Sequence, residues 1–425
     1  MKVFLDTIGC RLNQSEVESM AQQFRAAGHQ IVASAGEADL AVINTCAVTS
    51  EAAVDSRQKI RAAARLGARQ VIVTGCWATL QPAEAAALPG VQRVIPNAQK
   101  QTLVADVLGV LPETFDLEPL AREPLPGLHR RTRAFIKVQD GCDNACTFCI
   151  TTVARGKARS RPIPEVLRDI QSALAGGRRE IVLTGVHLGS WGAEWGQHLR
   201  HLVRAILEHT DTPRLRLSSL EPWDLDEAFF RLWENPRLMP HLHLPLQSGS
   251  ASVLKRMARK TTPQQFRRLV QAARAVLPEI AITTDVIVGF PGETEDEFTE
   301  TVDFVRQIAF AGGHVFTYSS RPGTAAARMS GQIPPQVRKQ RNAQLREVFQ
   351  GLAHAYRRQF LERRMIVLWE TVSERNDWGW QMEGLTGNYL RVRAVAPSPR
   401  WNEMDWVELT ELTDDGLRGV IRDSG

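Results

Sequence analysis

Three cysteines close three apolar stretches in the first quarter of the chain, and their spacing restricts the fold more than any other feature. Cys10 follows Val3 to Leu5, Cys46 ends LAVINTC and Cys76 ends QVIVTGC, with separations of 36 and 30 residues. Those are the lengths of βαβ units, and each such unit returns the chain to the same edge of a parallel sheet. Between the strands lie helix-period stretches: Glu16 to Ala27 with Val17, Met20 and Phe24 on one face, and Val54 to Leu66 with Ile60 and Leu66 apolar. Gly28 sits where a helix stop belongs. The pattern predicts a parallel βαβ domain over residues 1–110 whose three thiols can converge at one sheet edge. Small buried residues after strands would give the same spacing by coincidence. The flanking Asn44, Thr45, Thr74 and Gly75 suit close backbone approach and hydrogen bonding to sulfur, and are also ordinary turn residues.

The remaining chain divides by composition. Residues 111–130 carry Pro112, Pro119, Pro124 and Pro126 without a stable period and read as a linker or as a strap lying across another domain. From Ala134 the alternation resumes, with strand candidates Phe135–Val138, Ile181–Leu183, Leu215–Leu217, Leu242–Leu244, Ile282–Val288 and Val315–Thr317 separated by helical stretches such as Leu199–Leu207, Pro263–Val276 and Glu295–Ala309. This predicts an open or closed βα barrel over 131–357, with chemistry at the strand ends and an Arg-dense helical segment, interrupted by Gly351, at its close. The tail, 358–425, changes to short strands such as Met365–Leu368, Tyr389–Val392 and Trp406–Leu409 and reads as a small all-β domain. The fold class is therefore α/β with an all-β appendage. Hydrophobic residues at 43%, charged residues at 23% and no run of 18 apolar residues exclude both disorder and a membrane helix. The N-terminus turns polar before a signal-peptide core forms, so a cytoplasmic protein is expected. Without an export signal, the six cysteines point to burial, reactivity or metal binding rather than to disulfides.

The second cysteine group is Gly141-Cys142-Asp143-Asn144-Ala145-Cys146-Thr147-Phe148-Cys149, placed after the first barrel strand. Three thiolates leave one iron of a four-iron cluster open to a non-protein ligand. Structural zinc is a rival but normally takes four protein ligands, and no fourth Cys or His is adjacent. Buried unliganded cysteines are the other alternative. The spacing C-x3-C-x2-C resembles the signature of radical S-adenosylmethionine enzymes, a resemblance that implies reductive cleavage of that cofactor to a 5′-deoxyadenosyl radical. Phe148 would then shield the cluster, or simply pack the barrel mouth.

Adding GCRLNQSE at 9–16, NTCAVT at 44–49, the Cys76 site and EGLTGNYLRVRA at 383–394, the chain resembles the methylthiotransferases over essentially its whole length. The resemblance implies two 4Fe-4S clusters, one on Cys142, Cys146 and Cys149 and an auxiliary, sulfur-delivering one on Cys10, Cys46 and Cys76. It also implies a radical-SAM partial barrel with six strands, a TRAM-like substrate-gripping tail, S-adenosylmethionine as cofactor, an electron-donor protein and a sulfur source. Strand-end phrases LTGVHLGSWG, RLSSLEP, HLPLQSGS and TTDVIVGFPGE are then expected at the cofactor, with Thr184, Gly185, Ser219, Glu221, Gln247 and Asp285 as contacts beside Phe148. Arg216 is a candidate partner for a cofactor carboxylate, and Glu221 for an amino group or ribose hydroxyls. Thr294 with Glu297 forms a plausible capping box after the Gly289–Gly292 turn.

Among substrates, GCRLNQSE, NTCAVTSEAAVDSRQKIR, TTVARG and HVFTYSSRPGTAA resemble the subgroup acting on threonylcarbamoyladenosine-37 of tRNA; isopentenyladenosine-37 and a ribosomal-protein aspartate are the alternatives, with a non-catalytic RNA-binding protein as the rival class. Charge adds a weak term: 52 basic against 47 acidic residues give a net charge of +5. Arg338, Lys339, Arg341, Arg346, Arg357, Arg358, Arg363 and Arg364 are candidates for phosphate contact or for solvated helix faces, and Tyr389, Trp401 and Trp406 for base stacking or core packing. Trp77, Ala78, Thr79 and Thr261 depart from the family pattern.

Overall fold

A computed structural model of the chain describes residues 1–115, 132–376 and 378–422, so the expected linker lies outside the described residues from 116 onward. Two compact units are present. The first comprises Met1–Ala145, Cys149–Gly177 and Leu183–Gln197; the second comprises Cys146–Phe148, Arg178–Val182 and His198–Gly425.

The first unit contains a five-stranded parallel sheet of β1 (Lys2–Thr7), β2 (Gln30–Ile31), β3 (Leu40–Thr45), β4 (Gln70–Gly75) and β5 (Val91–Ile95), in the order β2-β1-β3-β4-β5. β3 is buried along its full length, which is why LAVINT reads as an unbroken apolar run. Helix α1 (Arg11–Ala26) packs Val17, Met20 and Phe24 on Val3, Leu5 and Ile31, while α2 (Ser50–Arg65) packs Ile60 and Ala63 with Ile43 and Val71 in a separate core. Both helices start directly after a cysteine loop. Extended Cys10 precedes α1, which therefore begins five residues before the expected Glu16, and the Thr49 hydroxyl accepts the Ala52 N–H at 3.1 Å to cap α2. Leu66, the second apolar residue of that stretch, is exposed, and α2 ends at Arg65. Strands β2 and β5 escape sequence reading, one for its two-residue length and the other for the polar VQRVI.

The six expected barrel strands occur in the expected order: Arg133–Lys137, Glu180–Thr184, Arg214–Leu217, His241–His243, Ala281–Val288 and Gly312–Thr317. In the second unit the last three form a parallel sheet. Helices Pro263–Val276 and Glu295–Ile308 each start at a capping box, on Thr262 with Gln265 and on Thr294 with Glu297. Helix Pro335–Arg358 runs through Gly351 unbroken; buried Leu345 and Phe349 anchor it against a glycine cost of about 1 kcal/mol. The tail is a closed five-stranded barrel in the order 364–376, 379–386, 391–396, 417–422, 404–412. Tyr389 lies outside these strands with a left-handed φ of 70°.

Within the second unit a buried ion cluster fastens this small barrel. Glu180 accepts from Arg214 Nε at 2.8 Å and from Arg216 Nε at 2.9 Å, while the two guanidiniums donate to the carbonyls of Leu385, Thr386 and Gly387 at 2.9–3.1 Å. Arg216 is fully buried, and its guanidinium covers the Tyr389 ring, which stacks on His241. Arg216 is thus a barrel fastener rather than a cofactor-carboxylate partner, and Tyr389 is packed rather than offered to a base. Nothing in the sequence says which end of a strand an arginine will serve.

Candidate cluster sites

In the first unit the loops bearing Cys10, Cys46 and Cys76 are stitched together. Asn13 Nδ2 donates to the Ile8 carbonyl at 2.8 Å and the Thr45 carbonyl at 3.1 Å, joining the first loop to the second. Thr45 Oγ1 donates to the Thr74 carbonyl at 2.6 Å and accepts from Ala78 N–H at 3.1 Å, joining the second to the third. Two glycines make this approach possible. Gly9 has φ +99°, and a Cβ there would stand 2.5 Å from Cys46 Sγ; Gly75 has φ +101°, and a Cβ would run into the Thr45 backbone. Cys46 and Cys76 are buried, while Cys10 is exposed. Burial pushes the Cys46 thiol up to about 11, with Cys10 and Cys76 adding to the rise. Ligation of a metal there must release the thiol proton, as metal binding by thiols generally does.

Beneath these loops sits a five-member ion network that sequence reading missed. Glu16 receives Lys100 Nζ at 2.8 Å, Lys137 Nζ at 3.0 Å and Arg155 Nη1 at 2.9 Å; Arg155 also reaches Asp140 at 2.9 Å and Asn13 Oδ1 at 2.7 Å. Burial by itself would raise the Glu16 pKa, but the Lys100, Arg155 and Lys137 charges hold it well below the usual carboxylate range. Through Asn13, the network holds the Cys10 loop to the helix Thr151–Arg155 that follows Cys149. Asn97 adds a second tie, with Nδ2 3.6 Å from Cys76 Sγ and 2.9 Å from the Ala154 carbonyl.

The central loop crosses the division between units: Cys142 and Cys149 belong to the first, Cys146 and Phe148 to the second. Gly141 has φ +68°, and a Cβ there would collide with the Lys157 carbonyl; Cys142 N–H donates to the Gly156 carbonyl at 3.0 Å. The Asn144 N–H points at Cys142 Sγ at 3.4 Å. Thr184 is buried, and its carbonyl accepts Val138 N–H at 3.0 Å; Gly185 lies so close to the Gln139 amide that a Cβ would be 2.9 Å from its oxygen. All three cysteines of this loop are partly open.

In the second unit, Arg259 Nη1 lies 3.8 Å from Cys146 Sγ and grips Glu221, with Nη1 at 3.0 Å from one carboxylate oxygen and Nη2 at 2.5 Å from the other. Burial opposes the charge on Arg259, but Glu221 and Cys146 more than offset it, so its pKa rises. Glu221 therefore stands beside Cys146 through an arginine that the sequence did not single out. Phe148 packs with Val253, Met257, Phe290 and Tyr318. Ser219 is exposed, and its backbone pairs with His243. Gln247 takes a left-handed φ of 69° and pairs with the strand at Val286; its N–H donates to the Asp285 carbonyl at 2.8 Å. Asp285 Oδ2 is 3.2 Å from His243 Nε2, while its Oδ1 is buried without a hydrogen-bond partner among the described residues, a polar atom left for a bound group.

Among the described residues no three His, Cys, Asp or Glu side chains come close enough to hold one metal ion. A four-iron cube takes each thiolate on a different iron, so its ligand sulfurs do not meet at a point, and an all-sulfur donor set is the set it uses. The departures from the family pattern have structural roles: Thr79 Oγ1 donates to the Gly75 carbonyl at 2.8 Å and accepts from Asn97 N–H at 2.9 Å, and Trp77 is buried beneath Arg57. Half of the candidate phosphate cations are engaged elsewhere. Arg338 bonds the Tyr318 carbonyl, Arg341 pairs with Glu293 at 2.7 Å, Arg357 bonds the Asp414 carbonyl at 2.9 Å and Arg363 pairs with Glu279 at 2.6 Å.

Comparison with known proteins places these features. Residues 136–305 match the Radical SAM superfamily and residues 2–95 match a group described as "Uncharacterized protein family UPF0004". The chain is 36% identical to the threonylcarbamoyladenosine tRNA methylthiotransferase MtaB of Thermotoga maritima, covering 98% of this chain and 96% of that protein. It is 38% identical to the protein of the same name in Bacillus subtilis, over 92% and 89%. It is also 36% identical to a tRNA-2-methylthio-N(6)-dimethylallyladenosine synthase of Acidothermus cellulolyticus, over 82% and 73%. Among solved structures, the radical S-adenosylmethionine methyltransferase TsrM of Kitasatospora setae superposes with a TM-score of 0.57 at 16% identity, covering 77% of each chain, a likeness of fold alone.

Proposed function

The chain belongs to the radical S-adenosylmethionine methylthiotransferase family, and from that premise we propose that it inserts a methylthio group at C2 of N6-threonylcarbamoyladenosine-37 in tRNA. The observation that carries the reading is the full-length similarity to two relatives bearing that activity in their names, joined to three thiols on stitched loops at one sheet edge. In this proposal Cys142, Cys146 and Cys149 hold one 4Fe-4S cluster, and Cys10, Cys46 and Cys76 the auxiliary one. When bound, the clusters and S-adenosylmethionine supply one-electron and sulfur-transfer chemistry that ordinary side chains lack. The target is an aromatic carbon–hydrogen bond without an acidic proton, beyond side-chain acids and bases.

The protein's own residues bind and orient. Phe148, Thr184, Gly185, Ser219, Glu221, Gln247 and Asp285 are the proposed cofactor contacts. Arg259 fixes the Glu221 carboxylate and places a positive charge beside Cys146. Gly9 and Gly75 let the auxiliary loops close, and Asn13 and Thr45 keep them in register. The partners proposed are tRNA carrying the threonylcarbamoyl base, an electron-donor protein and a sulfur source. The proposed site of action is the cytoplasm, where a tRNA substrate would be met. Among the described residues no helix is long and apolar enough to cross a membrane.

RNA contact is supported in the first unit by a groove of about 930 Å³ beside Gly9, lined by Arg61 and Arg65 of α2 together with Asp55 and Gln58. The two arginines are one turn apart, roughly 6 Å along the helix, and make no ion pair among the described residues. Replacing both by glutamine should flatten the slope of log K against log salt for tRNA binding by roughly 2, and an unchanged slope would remove them from the RNA face.

The test of the function itself is nucleoside mass spectrometry on cells lacking the protein. Loss of the 2-methylthio form of threonylcarbamoyladenosine is expected, with the unmodified threonylcarbamoyl base accumulating. Loss of a methylthio isopentenyladenosine in its place would move the substrate to the neighbouring subgroup.

A further inference from the structure

We propose that Asn97 is a positioning residue of the auxiliary site, donating an N–H to the Cys76 sulfur and thereby raising the reduction potential of whatever cluster that sulfur holds. The inference rests on the assignment of Cys10, Cys46 and Cys76 as cluster ligands.

Geometry fixes the direction of the amide. The Ala154 carbonyl, 2.9 Å away, is only an acceptor, so the side-chain nitrogen must face it, and the second N–H of the same nitrogen is left for Cys76 Sγ at 3.6 Å. Asn97 cannot swing away. It is buried, its backbone N–H is held by Thr79 Oγ1 at 2.9 Å, and it begins the short 3-10 helix Asn97–Thr102. The amide oxygen is buried and unpartnered among the described residues, so the pose is set by what the nitrogen donates to and not by the oxygen. Lys100, one turn further along, reaches Glu16 at 2.8 Å and Asn44 Oδ1 at 3.0 Å, which fastens the segment from its other end.

A donor aimed at a thiolate sulfur stabilises the more negative, reduced state of an attached cluster over the oxidised state, and hydrogen bonds to sulfur are among the factors that set cluster potentials. Asn97 also ties Cys76 to the carbonyl next to Arg155. One side chain thus sets the electronics of the auxiliary thiolate and its distance from the helix that follows Cys149.

The experiment uses the full chain with Cys142, Cys146 and Cys149 replaced by alanine, so that the auxiliary cluster is the one observed. If this parent, loaded anaerobically, holds no iron, the ligand assignment fails before Asn97 is tested. If it holds about four irons per chain, its midpoint potential is read by EPR-monitored titration and compared with that of Asn97→Asp, which keeps shape but offers no N–H, and Asn97→Ala. The expected result is a potential lowered by about 59 mV in both, a tenfold change for a one-electron couple. Asn97→Gln, which can restore a donor, should recover part of the shift. An unchanged potential with four irons retained overturns the proposal. Loss of the iron from both variants overturns it as well, because a residue that only donates to sulfur occupies no coordination position.

Discussion

Glu16→Gln should destabilise the first unit by about 3–5 kcal/mol, the usual result of removing one partner from a buried ion cluster. The glutamine keeps the shape and loses the charge on which Lys100, Lys137 and Arg155 converge. Asp140 alone cannot answer three cations, and Lys100, only 5% exposed, would keep no carboxylate partner. Urea denaturation at pH 7, followed by a probe in the first unit, measures the loss. A second substitution, Lys100→Met, should return part of it, because the cation stranded by the first change is then gone; a double-mutant cycle reads that coupling. The pH dependence has a definite sign. Since the folded pKa of Glu16 is depressed, its contribution is fully present above the unfolded value of about 4.3 and fades as pH falls through the lower folded value. The gap between parent and Glu16→Gln should therefore narrow as acid is added. A gap unchanged from pH 7 to the acid range would mean that the loss does not come from the ionised Glu16 carboxylate.

This network explains why parts of the site were legible in the sequence and parts were not. The cysteines were legible because a βαβ period converts sequence spacing into a common sheet edge: Cys46 and Cys76 directly follow the last residue of a strand, and Cys10 comes three residues after one. The strand order of the barrel region followed from the same alternation. Asn97, Lys100 and Arg155 carry no local signature: each is an ordinary polar residue with a partner far along the chain, 57 positions for Asn97–Ala154, 84 for Lys100–Glu16 and 139 for Arg155–Glu16. Arg259 was hidden in the same way, since its link to Cys146 spans 113 positions. Arg216 shows the converse error. Its place on a barrel strand was visible, but its length lets it reach down to Glu180 and the tail carbonyls, so position on the strand did not decide which group it serves. Tyr389 failed for a backbone reason: a left-handed residue between Asn388 and Leu390 turns the ring onto His241 instead of continuing a strand.

Replacing Cys10, Cys46 and Cys76 together by alanine should cut the iron content from about eight atoms per chain to about four, abolish methylthio insertion and spare the reductive cleavage of S-adenosylmethionine. Replacing Cys142, Cys146 and Cys149 should also leave about four irons, but cleavage and insertion should both vanish. The asymmetry is what identifies the two proposed sites, since loss of iron alone would be the same in each. Alanine is the suitable replacement because buried Cys46 and Cys76, when unliganded, behave as small apolar residues and Cys10 is exposed, so the sheet edge keeps its packing without donor atoms. The fold can be checked independently: the stitching of the three N-terminal loops runs through Asn13 and Thr45, neither of which uses a thiol, so the urea transition of the first triple variant should stay near that of the metal-free parent. Eight irons retained in either triple variant would break the ligand assignment. Cleavage lost along with the N-terminal trio would show that the auxiliary thiols serve the radical step itself, because a purely sulfur-delivering site acts only after that step has occurred.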